Sequence, residues 1–209
     1  MSTEVSATKH LGWMFWLWWI LASIGGAVVF LVVVFPLTML FARIAPDKST
    51  APPPALSLVL NAIISSVMGA LFGLGQWLVL RRVLPATGGW VLATAIGYIV
   101  VLGLDPLIQF DPIPQLGGAF FFLIFGVVLG VAQWLVLRGR VDQAGWWIAL
   151  SIAGWVLAFL LIGAAYLSGL YVEPFDMLAA FLVPTIVTGG GMLWLLRRTA
   201  RANSLGDTP

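Results

Sequence analysis

Long apolar runs separated by short polar segments dominate the chain. Each run has at least the roughly 17 helical residues needed to cross a bilayer core. The pattern predicts six transmembrane helices, over Leu11 to Ala42, Ala55 to Leu80, Gly88 to Leu104, Leu116 to Leu137, Ala144 to Val172 and Met177 to Leu196. We therefore expect an all-α polytopic membrane protein. A single six-helix domain at 11–198 would lie between an N-terminal tail at 1–10 and a C-terminal tail at 199–209.

Composition strengthens this interpretation and removes several function classes. Apolar residues make up 61% of the chain and charged residues 9%, whereas globular proteins have about 45–50% and 25%. There is no cysteine and the one histidine, His10, precedes the first apolar run. Thiolate, zinc and redox chemistry are therefore not expected, and we predict neither a metal nor a cofactor. No recognised catalytic motif occurs and no basic patch is interleaved with stacking aromatics, so we expect neither an enzyme nor a nucleic-acid partner.

The positive charges predict the orientation. The segments on the side of both termini contain Lys9, Arg81, Arg82, Arg138, Arg140, Arg197, Arg198 and Arg201, against Arg43 and Lys48 on the other side. By the positive-inside rule both termini are cytoplasmic.

The tryptophans cluster near the same predicted side of the membrane. All of the 11 tryptophans except Trp155 lie near a predicted cytoplasmic helix end, at Trp13, Trp16, Trp18, Trp19, Trp77, Trp90, Trp134, Trp146, Trp147 and Trp194. This distribution predicts an aromatic belt at one interface.

The chain also contains an internal repeat. Residues 69–98 align without gaps to residues 126–155, with 11 of 30 residues identical, and the identities concentrate in two copies of QWLVLR. A weaker third copy keeps the spacing of Thr185, Gly189, Met192 and Arg197, although Met192 replaces the glutamine. We predict three parallel two-helix repeats, approximately 11–82, 88–140 and 144–198, with pseudo-threefold symmetry.

This repeat carries a resemblance. The unit GxxQWLVLR, followed by Gly-Trp at the start of the next helix, resembles repeats of uncharacterised polytopic bacterial membrane proteins. The resemblance extends from about Ala55 to Arg198 and is best at Gly73, Gln76, Trp77 and Arg81 and at their counterparts Gly130, Gln133, Trp134 and Arg138. It implies a multi-pass protein of the bacterial inner membrane and no known activity.

Small residues four apart on the repeated helices predict close helix packing, at Gly69, Gly73, Gly126, Gly130, Thr185 and Gly189. Gln76 and Gln133 lie on nearly the same face as these glycines, so their amides should point inward. One interpretation is structural, with the amides bonded to a neighbouring helix or to each other. The other is a cytoplasm-facing vestibule for an anionic lipid headgroup or small anion, lined by Gln76, Gln133, Arg81, Arg138 and Arg197.

No ionisable residue falls clearly in the middle of a predicted helix, which disfavours a proton-coupled pump. We therefore expect a non-catalytic scaffold, or a subunit of a membrane assembly, whose partners are membrane lipids and other subunits or copies of itself. The alternative is a transporter or channel for a small solute or lipid, or its membrane substrate-binding subunit. An axis closed by apolar side chains would favour assembly, and a solvated cavity lined by Gln76 and Gln133 would favour transport.

Overall fold

A computed structural model shows an all-helical chain over the residues that it describes. These are residues 12–36, 39, 54–108, 114–170 and 175–206, with side chains described at 12–36, 39, 58–102, 118–170 and 178–202. The helices in this part of the chain are α1 (Trp13–Val29, continued by the π-helical turn Phe30–Val34), α2 (Pro54–Leu80), α3 (Gly89–Ile108), α4 (Pro114–Leu137), α5 (Trp146–Leu167) and α6 (Phe175–Gly206).

The length and composition of these helices confirm the multi-pass helical character. Five are long and apolar enough to cross a membrane, while the apolar stretch of α3 at Gly89–Leu102 is shorter. Large apolar side chains such as Leu92 and Leu160 point outward, with 63% and 57% of their surface exposed. A bilayer can cover such a surface, because lipid tails are as apolar as leucine.

Several helix ends differ from those predicted. The apolar run predicts that the third helix ends at Leu104, before Asp105-Pro106, yet α3 continues to Ile108. The helix therefore continues for two residues beyond Pro106, although proline has no N–H to bond to the carbonyl of Leu102. The final helix also runs past Leu196 to Gly206, into the predicted C-terminal tail.

The hydrogen bonding of α1 changes near its C-terminal end. The Phe35 N–H donates to the Phe30 carbonyl, five residues back, and Pro36 follows directly. Phe35 and Pro36 are again α-helical, so the wider turn is a local π-bulge directly before a residue that has no N–H. Of residues 35–42 the structure describes only Phe35, Pro36 and Met39, and residues 109–113 also lie outside the described part of the chain.

The six helices form a closed ring. Each helix packs against its neighbours in chain order, and α1 packs against α6. Five of the helix pairs in contact are therefore consecutive along the chain, and the sixth pair, α1 and α6, closes the ring. This arrangement brings one face of every helix towards a common axis.

Glycines allow the closest approaches within this ring. A β-carbon at Gly69 or Gly126 would lie 2.8 Å from the Ala95 α-carbon or 2.7 Å from the Ile152 α-carbon, respectively. The α2–α3 and α4–α5 pairs are thus in backbone contact at these positions, a distance that only glycine permits. Gly73 and Gly130 continue the same two contacts.

Candidate functional site

Three tryptophans from different helices meet on the ring axis. Trp19 of α1, Trp90 of α3 and Trp147 of α5 are at most 1% exposed. Their ring centroids are 5.5 to 6.2 Å apart, and each pair is in edge-to-face geometry. Such pairs are stabilised by the opposite polarity of ring edges and faces. We call these residues the tryptophan triad; its side chains fill the axis near the helix ends that carry the arginines.

Glutamines of the even-numbered helices hold two of the three indoles. Trp90 Nε1 donates to Gln76 Oε1 at 3.0 Å, and Trp147 Nε1 donates to Gln133 Oε1 at 3.1 Å. The same amides reach the preceding odd-numbered helix, since Gln76 Nε2 donates to Ser23 at 3.4 Å. Each glutamine therefore ties together three helices around the axis.

The Gln133 amide nitrogen makes a shorter hydrogen bond to its neighbouring helix than the Gln76 amide nitrogen does. Gln133 Nε2 donates to Thr94 Oγ1 at 3.0 Å, and Gln133 itself is 5% exposed. The Thr94 hydroxyl in turn donates to the Trp90 carbonyl at 2.9 Å. Buried amides and hydroxyls thus satisfy each other without any ionised group.

The third indole has a different environment. In the part of the chain that the structure describes, Trp19 Nε1 is the single buried side-chain nitrogen or oxygen without a hydrogen-bond partner. In the predicted repeat, Met192 stands where the other copies have Gln76 and Gln133, and Met192 is fully buried in the same apolar cluster as Trp19. A thioether is a much weaker acceptor than an amide oxygen, so a methionine at this position offers an indole less than a glutamine does.

A polar cavity of about 40 Å³ lies beside the triad, lined by residues of α2 to α6. Its polar lining consists of Gln76, Thr94, Tyr98, Gln133, Ser151, Thr185 and Thr188. No Asp, Glu, Lys, Arg or His occurs among its lining residues, all of which lie within the described ranges. We call this space the axial cavity.

Aromatic rings border the axial cavity on the side away from the triad. Phe72 stacks on Phe181 at 5.2 Å and on Tyr98 at 5.9 Å, while Phe125 stacks on Trp155 at 4.1 Å. These five side chains form the aromatic layer. The axial cavity therefore lies between two sets of packed rings.

The arginines of the predicted site lie at the end of the bundle. Arg81 and Arg138 are exposed and sit over the rings of Trp77 and Trp134, with guanidinium carbons 4.8 and 5.8 Å from the ring centroids. A third pair joins Arg198 to Trp194 at 4.9 Å. Such cation–π pairs place the charge at the surface while the ring covers the side chain.

The structure thus separates the predicted vestibule residues into two groups. Gln76 and Gln133 line one cavity, whereas Arg81, Arg138 and Arg197 are exposed and absent from its lining. Of the predicted packing residues, Gly189 lies against the Trp19 ring, and Thr185 is buried and lines the axial cavity.

The aromatic-belt prediction was wrong for Trp19, Trp90 and Trp147. These residues face the axis instead of the interface, and the glutamines give two of them, Trp90 and Trp147, a partner inside the bundle. The seven-residue spacing from each of them to Gly26, Gly97 or Gly154 was a signal of this inward face.

Comparisons with protein families, with curated proteins and with solved structures found no match for this chain.

Proposed function

We propose that the chain consists of three two-helix repeats around one axis. The contacts of the first two copies support this symmetry, since Gln76–Trp90 and Gln133–Trp147 are each 14 residues apart. The loops support it too, because Ala86 and Gln143 share an unusual positive φ, of 60° and 55°. A left-handed backbone at a non-glycine residue is uncommon enough that its recurrence at matched positions favours a common ancestor unit.

We infer that the protein is a non-catalytic integral membrane protein that acts as a scaffold or as a subunit of a membrane assembly. The observation that carries this inference is the closed axis: the tryptophan triad and the aromatic layer both fill it. A closed ring without charged groups along its axial cavity is suited to rigid support. Its exposed apolar surface is available to lipids and to other membrane helices.

Native mass spectrometry of the protein purified in a mild detergent tests this function. We expect a stoichiometric protein partner, or a defined homo-oligomer, because a scaffold acts through its outer surface. A monomer that carries a defined solute and no partner would contradict the proposal.

A transporter or channel is the second candidate, and the axial cavity is the observation that favours it. Under this alternative, a lipid or solute retained by the purified protein would depend on the amides. Replacing both Gln76 and Gln133 by leucine would then remove the retained molecule while the fold persists. Retention unchanged in that double variant would exclude these amides as its site.

We further propose that the protein lies in the bacterial inner membrane with both termini in the cytoplasm. Since the chain has no cysteine, a single cysteine can be introduced without first replacing native ones. Gln143 and Ser168 are exposed at opposite ends of α5. A membrane-impermeant thiol reagent added to intact cells should label Ser168→Cys and should reach Gln143→Cys only after permeabilisation; the reverse pattern would overturn the orientation.

A further inference from the structure

We propose that the axial cavity is a binding site for a small uncharged molecule that both donates and accepts hydrogen bonds. The proposal does not depend on whether the protein is a scaffold or a transporter. It rests on three properties of the cavity walls: their polarity without charge, the fixed orientation of the glutamine amides, and the free acceptors on α6.

The walls favour an uncharged ligand. Seven residues with side-chain amides or hydroxyls line the cavity: Gln76, Thr94, Tyr98, Gln133, Ser151, Thr185 and Thr188. An ion would lose most of its hydration in such a space, and no opposite charge lines it to compensate. A neutral polar molecule loses much less hydration free energy on entering the cavity, and the walls can replace the hydrogen bonds that it made with water.

The indoles fix the direction of both amides. An indole N–H is only a donor, so the glutamine atom facing Trp90 or Trp147 has to be the carbonyl oxygen. Each amide nitrogen then faces the opposite way, where one of its two hydrogens is taken by Ser23 or Thr94. The second hydrogen of each amide remains available to a molecule in the cavity.

Helix α6 supplies acceptors. The Thr185 hydroxyl donates to the Phe181 carbonyl at 2.7 Å and the Thr188 hydroxyl to the Pro184 carbonyl at 2.6 Å. Because their protons are used within the helix, both hydroxyl oxygens present lone pairs to other donors. Pro184 also has no N–H for the carbonyl of Ala180, one turn earlier, and both residues line the cavity.

The volume limits the size of the ligand. A cavity needs roughly 10–15 Å³ to hold one water molecule, so about 40 Å³ suits a few waters or one molecule of similar size. Water and a small amide or alcohol share the required chemistry, with donors and acceptors on the same molecule. The experiment therefore has to distinguish these two sources.

The test is a structure of the full chain in lipid nanodiscs, at a resolution that shows ordered water, determined without and with formamide. We expect density in the axial cavity within hydrogen-bonding distance of Gln133 and Thr188. If both preparations show density that fits separate water molecules, the cavity is a water site. If planar density appears only in the preparation with formamide, the cavity is an amide site. An empty cavity in both preparations, with ordered water visible elsewhere on the protein, would overturn the proposal.

A matched variant tests the role of the walls. Thr188→Val keeps the shape of the side chain but removes the hydroxyl oxygen. If formamide binds, we expect about a tenfold loss of its affinity in this variant, measured from the indole N–H resonances of Trp90 and Trp147. If water occupies the site, its density near residue 188 should disappear. Ligand density or affinity equal to wild type would contradict the assignment, and an unchanged indole spectrum without ligand controls for folding.

Discussion

Replacing Gly126 by valine should strongly destabilise the bundle, because it forces α4 and α5 apart. The new β-carbon would lie 2.7 Å from the α-carbon of Ile152, a backbone atom that cannot move aside without shifting α5. Overpacking of this kind costs about 1–3 kcal/mol and occasionally more. The free energy of unfolding, measured by titrating sodium dodecyl sulfate into mixed micelles, should fall by about 1–3 kcal/mol or more.

Gly163→Val is the matched control, because Gly163 is also a helical glycine, on α5, with nothing within 4 Å of its β-carbon position. Both substitutions introduce the same branched side chain and the same helix-propensity change. We expect a small effect at Gly163. Equal losses of stability at the two sites would show that helix propensity, and not the contact between α4 and α5, determines the cost.

The second large effect is expected at Gln133. A Gln133→Met variant retains an unbranched side chain of similar length but removes the acceptor of Trp147 Nε1 and the donor to Thr94. Leaving a buried polar group unsatisfied costs about 1–3 kcal/mol. The same unfolding titration should show this loss, and the indole resonance of Trp147 should move towards that of a free N–H.

The opposite substitution, of methionine by glutamine, tests whether the hydrogen bond to the indole contributes to stability beyond the packing of the side chain. Met192→Gln would offer an acceptor to Trp19 Nε1, the buried nitrogen that has no partner among the described residues. We expect this variant to be at least as stable as wild type, with a gain of up to about 1 kcal/mol. A loss of several kcal/mol would mean that position 192 does not correspond to Gln76 and Gln133.

Much of the helical architecture follows from hydrophobic length alone. Apolar runs predicted the six helices, and five satisfy the length and composition needed for a membrane span. The ends were less predictable, as Pro106 illustrates: proline lacks the N–H of a regular helical turn, yet α3 continues beyond it to Ile108. Sequence alone does not show how many turns follow a proline.

The candidate site was predictable only in part. The glutamines are identifiable because each begins one of the two QWLVLR sequences, as a polar residue within an apolar run. Their indole partners were predicted at the interface, since tryptophan near a helix end is common at membrane boundaries. Only the fold brings Trp90 and Trp147 onto the axis, where burial makes a hydrogen-bond acceptor necessary. Likewise, spacing alone did not reveal that the arginines lie away from the glutamine amides.

Solute flux across a membrane shows whether the packed rings of the tryptophan triad and the aromatic layer close the axis. Proteoliposomes containing the purified full chain should exchange water, glycerol and monovalent ions no faster than protein-free vesicles of the same lipid. Light scattering measures the first two fluxes and ion-sensitive dyes the third. A saturable flux above that of protein-free vesicles, lost in the Gln76→Leu/Gln133→Leu double variant, would contradict a closed axis and establish transport in its place.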